Sequence, residues 1–297
     1  MKKRLFLFAA YNKGAEISQT LIDYLTILSP LGDIVLCFDC DVSKSELKKL
    51  NSIKNILHVS SVRHGEYDFG SYKRAFSWAQ KNKLLSKYDW TYLVNDSVYC
   101  LRLPEYILSN LESEKKDLIG MVKYKDFQTP EHVQSWFMGI SAKVANSEFM
   151  SEFMNNISKE KTKENIVLKY EVMFSRVILN RGFQMVTLVP DAHNTTIVYK
   201  NPYALLNDGA PFVKKKSIQH IMNINRLFLY SDSESVTNHI KADVKKNGIK
   251  INSDRYICIY KLAVLGIPVF KKIATYDMRA YKGVLFGIPL YKAVIGK

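Results

Sequence analysis

The glycine signatures that cradle phosphates in many nucleotide enzymes are missing from this chain of 297 residues. No G-x-G-x-x-G follows the first apolar run, and no Gly-Lys is followed by Ser or Thr anywhere. The first loop, Tyr11-Asn12-Lys13-Gly14, has a single glycine. These absences argue against a nicotinamide or ATP enzyme of the dinucleotide-fold or P-loop kind. Cysteine is sparse too. Four thiols (Cys37, Cys40, Cys100 and Cys258) without a secretory signal point to a reducing compartment. The start, Met1-Lys2-Lys3-Arg4 and then Leu5 to Ala10, imitates a signal peptide. Its apolar run ends at Tyr11-Asn12-Lys13, too short for that job and well sized for a buried strand. No stretch approaches the roughly 18 apolar residues of a membrane span. Cys37-x-x-Cys40 does not read as a redox or zinc motif: its first cysteine lies inside an apolar run, and no second pair completes a metal site. Asp68-Phe69-Gly70 stands without the other kinase signatures.

Acidic residues are outnumbered, 28 against 43 Lys and Arg, which leaves a formal charge of +15. Such an excess suits a nucleic acid, an anionic lipid surface or a phosphorylated small molecule. It is concentrated toward the end: residues 241–297 hold twelve Lys or Arg and three Asp, a net of +9. No nucleic-acid-binding motif or Arg-rich recognition helix accompanies the charge, so nucleic acid is not the expected partner. The apolar share is ample for a full core, in one large domain or a domain with an appendage.

Strand and helix signals alternate over the first hundred residues. Apolar runs at Lys3–Tyr11, Asp33–Phe38, Ile56–Val62 and Trp90–Val94 predict strands. Helical spacing predicts helices at Glu16–Leu28, Ser43–Leu50 and Gly70–Asn82. Continuous apolar strands separated by helices predict a mostly parallel sheet covered on both faces. Ligands bind beyond the carboxyl ends of such strands. The polar residues there are Asn12, Asp39 and Asp41, Arg63 to Asp68, and Asn95-Asp96-Ser97. Further along, a helix is expected from Pro104 to Ser113, strands at Leu118–Lys123, His132–Ser141 and Gln184–Val189, and a long helix at Glu164–Gly182. Helical segments are expected near Ser217–Tyr230 and Glu234–Lys246. The parallel pattern stops after Asn201-Pro202, which sets a domain over 1–205 and a helical, basic appendage over 206–297.

The far end holds an internal repeat. Tyr260–Lys271 recurs as Tyr281–Lys292, at an offset of 21 residues. Two copies are too few for a solenoid. Each is an apolar Gly-Ile-Pro centre between basic ends, a composition that suits a lipid interface with lysines toward the headgroups. The alternative is a strand or turn pair packed on the main domain.

Single residues leave their roles open. Asp96 at the end of a central strand either holds a divalent cation against a diphosphate or makes a turn. Asp68 either caps the helix that follows or accepts hydrogen bonds from a base or ribose. His193, beyond the Gln184–Val189 strand, is either a metal or phosphate contact or a surface histidine.

The segments Tyr67–Lys73, Val94–Val98, His132-Val133-Gln134-Ser135-Trp136-Phe137, Glu171–Gly182 and Gly209–Lys214 resemble, in that order, the rhamnan synthesis protein F family of polysaccharide glycosyltransferases. The resemblance extends over about residues 3–216. The resemblance implies a GT-A-like α/β fold with a Rossmann-type sheet. The helix from Glu171 is similar to one in inverting GT-A enzymes whose first acid is the catalytic base, which implies that role for Glu171. Asp96 stands at the metal-binding D-x-D position, and Asn12, Asp39 and Asp68 stand where the nucleotide is gripped, beside Tyr72, Lys73 and Asn95. His132, Gln134 and Trp136 are expected against the acceptor. The chain departs from the pattern at Asn95 and Ser97, at Val172, and at Glu66 and Tyr67. The implied function is inverting transfer of a rhamnose- or galactofuranose-type sugar from a nucleotide donor to a lipid-linked surface polysaccharide, O-antigen or capsule. Mn²⁺ or Mg²⁺ at Asp96 and His193 is the implied cofactor. Peripheral attachment to the inner face of the cytoplasmic membrane, through its anionic surface, is the expected location; a non-catalytic basic protein, membrane-associated or nucleic-acid-binding, is the alternative.

Overall fold

The computed structural model describes residues 2–125, 129–189, 198–199, 202–221, 224–249, 256–264, 267–275, 280–286 and 288–294. Strand β1 (Arg4–Ala10) is buried along its whole length, as a strand at the centre of a sheet must be. It pairs in parallel with β2 (Asp33–Phe38) and β4 (Trp90–Asn95), and β2 pairs in parallel with β3 (Ile56–Ser61). Beyond β4 the direction changes. β8 (Phe137–Ser141) runs antiparallel to both β4 and β6 (Leu118–Tyr124), while β9 (Met185–Val189) is parallel to β6. The eight-stranded sheet has the order β3-β2-β1-β4-β8-β6-β7, with β7 spanning His132–Val133 and β9 on β6.

Alternate residues of β1 face two different cores. Phe6 and Phe8 pack under α1 (Gln19–Leu28), whose Leu21, Tyr24, Leu25 and Leu28 are buried, and near α4 (Glu105–Ser113). Leu5 and Leu7 pack under α3 (Tyr67–Lys81) and α6 (Glu148–Asn155). Ser18 caps α1 by accepting from the Leu21 N–H, and Ser43 caps the short α2 (Lys44–Leu47). Cys37 sits inside β2, where burial pushes its thiol up to about 11, the state of an inert core cysteine.

Two predicted elements are interrupted, and both breaks shape the site. The expected strand His132–Ser141 divides into β7 and β8, because Gln134-Ser135-Trp136 leave the ladder between them. The expected helix Glu164–Gly182 consists of α7 (Lys163–Ile166), a π-helical turn (Val167–Val172) and α8 (Met173–Leu179). It stops before Gly182, whose φ of +83° a side chain would oppose. A short α5 (Ala142–Ala145) follows β8.

The expected boundary after residue 205 falls inside α9 (Pro202–Asn207). From there β10 (Phe212–Lys214) pairs antiparallel with β5 (Val98–Cys100), and 3₁₀ turns lead to α10 (Glu234–Lys246). Val236, Ile240 and Val244 of α10 share a core with Tyr99 and Leu101. The Tyr99 hydroxyl donates to Asp243 at 2.6 Å, and His239 lies 2.8 Å from Asp23 on α1. This helical segment is therefore packed on the sheet domain.

The repeat departs from the helical expectation and is β structure. β11 (Tyr256–Val264), β12 (Ile267–Thr275), β13 (Ala280–Leu285) and β14 (Ile288–Val294) form an antiparallel sheet in that order. Each copy is one hairpin. Proline would break a helix here, but Pro268 and Pro289 are each second in a strand, next to a shift in the register.

Candidate functional site

The carboxyl ends of β3, β2, β1 and β4 lie side by side, so four loops distant in sequence meet on one edge. After β1, Asn12 accepts from the Gly14 N–H at 2.8 Å and shapes its own loop. After β2, Asp39 is buried and its carboxylate is occupied. One oxygen accepts from the N–H groups of His64 (2.8 Å) and Gly65 (2.7 Å), and the other lies 3.0 Å from the Arg63 guanidinium. Asp39 thus fixes the loop after β3 instead of facing open space. Arg63 in turn stacks over the exposed Tyr11 ring at 5.2 Å. His64 accepts from the Glu66 N–H through Nδ1, so Nε2 carries the proton and donates to Ser71. Burial, then Arg74, holds the His64 pKa below its ordinary value, consistent with a neutral ring.

Helix α3 begins under strain. Tyr67 has a φ of +57°, unusual for a bulky residue, and a Cβ at Gly70 would come within 2.3 Å of the Glu66 side chain. That crowding explains the glycine of Asp68-Phe69-Gly70. Asp68 lies in the first turn of α3 but is not its N-cap; its carboxylate accepts from the Asn95 amide at 2.9 Å. Lys73, expected at the donor, points elsewhere: its ammonium donates to the carbonyls of Asn155 and Ile157 at the end of α6.

Asp96 accepts from the Tyr11 N–H at 3.2 Å and lines a cavity of about 530 Å³ with Tyr11, Asn12, Phe38, Lys215 and Lys216. Burial pushes its pKa up, opposed by Lys215, the Tyr11 N–H and Lys214. The cavity is of the size that takes a small ligand. Sequence reasoning gives Lys215 and Lys216 no place in the site. They reach the cavity because β10 pairs with β5, the strand that follows Asp96. The clue was the Gly209–Lys214 segment, but no spacing rule links residues more than a hundred positions apart.

Glu171 stands in the π turn, a distortion frequent at functional sites. Its side chain is 21% exposed. Ser135, in the break between β7 and β8, donates to it from its hydroxyl (3.0 Å) and its N–H (3.4 Å). His132 approaches to 3.9 Å through Nε2, while its Nδ1 lies 2.8 Å from the Pro130 carbonyl, which can only accept. The Tyr72 hydroxyl donates to the Ser135 carbonyl at 2.9 Å. Burial above all, then Asp68, raises the Tyr72 pKa; Asn95 opposes the rise and Glu171 and Asp96 add to it, so this phenol stands electrostatically between the two halves of the site. Gln134 and Trp136 are buried. Gln134 accepts from the Trp136 indole at 2.8 Å, and the Lys214 ammonium lies 5.7 Å from the Trp136 ring. They support the site from within the core. His193 lies outside the described residues.

A divalent cation needs six or more oxygen ligands, some from substrate. Among the described residues, no group of three or more His, Cys, Asp or Glu is placed to hold one. Asp96 is the only carboxylate in its loop, and the other two acids that line the cavity are engaged elsewhere, Asp243 by the Tyr99 hydroxyl and Glu16 by the Lys246 ammonium, so these residues do not fit a protein-held cation.

A mostly parallel sheet of this order, flanked by helices and with a cavity at its carboxyl edge, is the α/β architecture that the resemblance to GT-A enzymes implied. The model of the rhamnan synthesis protein F family matches residues 34–253, well over half of the chain, and the chain belongs to that family. Among solved structures, it is similar to the glycosyltransferase GlyE of Streptococcus pneumoniae, with 14% identity over 86% of this chain and 66% of that one and a TM-score of 0.43. It is similar to the mannosyltransferase Ktr4p of S. cerevisiae, with 9% identity over 58% of this chain and 62% of that one and a TM-score of 0.37. The core-mannan synthase A of Aspergillus fumigatus, in its Mn/GDP form, matches at 10% identity over 52% and 63%, with a TM-score of 0.32. The chain thus spans less than two thirds of each of these three. No curated protein matches it in sequence.

Proposed function

We propose that this enzyme transfers a sugar with inversion from a nucleotide donor to a hydroxyl of a lipid-linked surface polysaccharide, with Glu171 as the base. The observation that supports this reading is a chain of contacts: Glu171, a partly exposed carboxylate, is held by Ser135, whose carbonyl takes the Tyr72 hydroxyl, and the Tyr72 phenol feels the charges of both Glu171 and Asp96. The acceptor hydroxyl attacks the anomeric carbon, and its proton passes to Glu171. A new C–O bond forms as the bond to the donor phosphate breaks, and the nucleoside diphosphate leaves with the electron pair. Lys215 and neighbouring groups stabilise the charge on the departing diphosphate. Every step runs on protein groups. The family's name favours a rhamnose donor such as thymidine-diphospho-rhamnose; a uridine-diphospho-sugar such as galactofuranose is the second donor proposed. His132 remains the candidate acceptor contact, beside Glu171. A thermal-shift panel of nucleotide sugars tests the donor site, because a ligand at 100 times its Kd adds about 2.7 kcal/mol. A flat response to every member would sink the donor reading.

In this reading the sheet β11–β14 docks on the anionic inner face of the membrane. No described helix is long and apolar enough to cross one. Phe286, Ile288 and Leu290 are exposed by 67%, 67% and 54%, and the sequence sets Lys261, Lys271, Lys282 and Lys292 at the ends of the two apolar copies, which supports docking. Removing residues 257–297 should abolish sedimentation with anionic vesicles, while the shortened enzyme still transfers sugar to a soluble acceptor fragment. Raised salt should weaken binding of the full chain. Undiminished vesicle binding after truncation would place the anchor elsewhere, with Lys214 to Lys216 next in line. Unfolding would make the sheet part of the core.

A further inference from the structure

The loop after β4 keeps the outline of a cation-binding loop but has used up its oxygens internally. Asn95 is 1% exposed. Its amide donates to Asp68 at 2.9 Å, and its carbonyl oxygen accepts both the N–H and the hydroxyl of Ser97. The Ser97 hydroxyl oxygen in turn accepts from the Lys214 ammonium at 2.8 Å. The flanking positions therefore have no oxygen turned to the cavity, and Asp96 is left as a single carboxylate with one oxygen on the Tyr11 N–H.

Positive charge stands where a cation would. The Lys215 N–H donates to the Ser97 carbonyl at 2.9 Å, which fixes the Lys215 backbone to this loop. Its ammonium lies 5.6 Å from the Tyr99 ring, and Lys215 and Lys216 share the cavity with Asp96. A divalent ion beside Asp96 would meet like charge from Lys215 and from Lys214. An ammonium there already does what the ion would do: it presents a compact positive charge to phosphate oxygens in a partly desolvated cavity.

The geometry points to a cation-independent donor site, in which Lys215, with Lys214 and Lys216 beside it, holds the diphosphate of a nucleoside diphosphate in place of a divalent metal. This rests on the donor-site reading above and assigns its chemistry. Lys215 is kept at the cavity by its N–H on the Ser97 carbonyl and by the Tyr99 ring.

The test is calorimetric titration of the full chain, stripped with EDTA, with UDP and with dTDP in EDTA, in MnCl₂ and in MgCl₂. Kd should agree across the three buffers within about threefold. Lys215→Ala should weaken binding at least about tenfold in all of them, as loss of a charge-assisted phosphate contact would. Lys215→Arg should retain most of the affinity, and Lys54→Ala, on the exposed loop before β3, should change nothing. Melting by circular dichroism checks that the variants fold, and the buffer comparison needs no variant. Binding at least about tenfold weaker in EDTA than in Mn²⁺ overturns this inference and leaves the donor site standing. Unchanged affinity in folded Lys215→Ala removes the lysine. Failure of both nucleotides to bind in any buffer sinks the donor-site reading, and this one with it.

Discussion

Glu171→Gln is expected to lower sugar transfer by at least about 100-fold, the usual contribution of a general base, with little loss of fold or of donor affinity. The reasons are local. Glutamine has the same shape but cannot accept the acceptor's proton. Glu171 is partly exposed, and its protein partners are Ser135, whose hydroxyl can turn to suit an amide, and His132 at 3.9 Å. In the proposed donor site the diphosphate meets Asp96 and Lys215, and Glu171 does not line that cavity. The measurement is turnover with saturating donor and an acceptor fragment, alongside nucleotide affinity. Near-normal turnover would remove Glu171 from the chemistry and move attention to His132. A parallel loss of nucleotide affinity would mean that Glu171 helps to form the donor site.

The largest expected effect on stability lies at the opposite end of the sheet. Arg4, the first residue of β1, is 1% exposed and is gripped by two carboxylates. Glu112 takes Nε at 2.6 Å and Nη2 at 2.8 Å, and Glu105 takes Nη1 and Nη2 at 2.7 and 2.8 Å. The Tyr92 hydroxyl also donates to Glu112, at 2.6 Å. Removing Glu112 leaves a buried guanidinium with half of its partners and a buried phenol with none of that bond. Glu112→Ala should cost about 3–5 kcal/mol, the range for breaking a buried ion pair. Against a net stability of roughly 5–15 kcal/mol that is a large share. Urea unfolding of the two proteins measures it. The double change Arg4→Met with Glu112→Leu should lie much closer to the parent, since an apolar pair of similar volume removes the need for compensation. A loss under about 1 kcal/mol in Glu112→Ala would show that Glu105 alone satisfies Arg4.

Local pattern determined much of the architecture. The apolar runs of β1, β2 and β4 announce strands buried on both faces, because a central parallel strand has no polar side to show. Helix α4 begins right after Pro104 as its sequence predicts, and α10 matches its predicted span, since capping, proline and periodicity act over a few residues. The four polar strand ends were legible for the same reason, and so was the family, through the ordered segments from Tyr67 to Lys214.

Only the tertiary structure decided what those residues touch. The break at Gln134-Ser135-Trp136 and the π turn at Glu171 are invisible to periodicity, because each exists to bring Ser135 and Glu171 together across elements 36 residues apart. Asp39 read as a nucleotide contact and is held by the loop after β3, since a buried carboxylate takes the nearest backbone N–H groups. Nothing in the spacing sets Lys214 and Lys215 beside Asp96; that follows from the pairing of β10 with β5. The repeat read as part of a helical appendage and pairs as hairpins, because cross-strand partners, not neighbours along the chain, set its hydrogen bonds. Composition and spacing carry the short-range terms that choose helix or strand; which charges meet in one cavity depends on contacts between residues far apart in the chain, and those exist only once the sheet has closed its order.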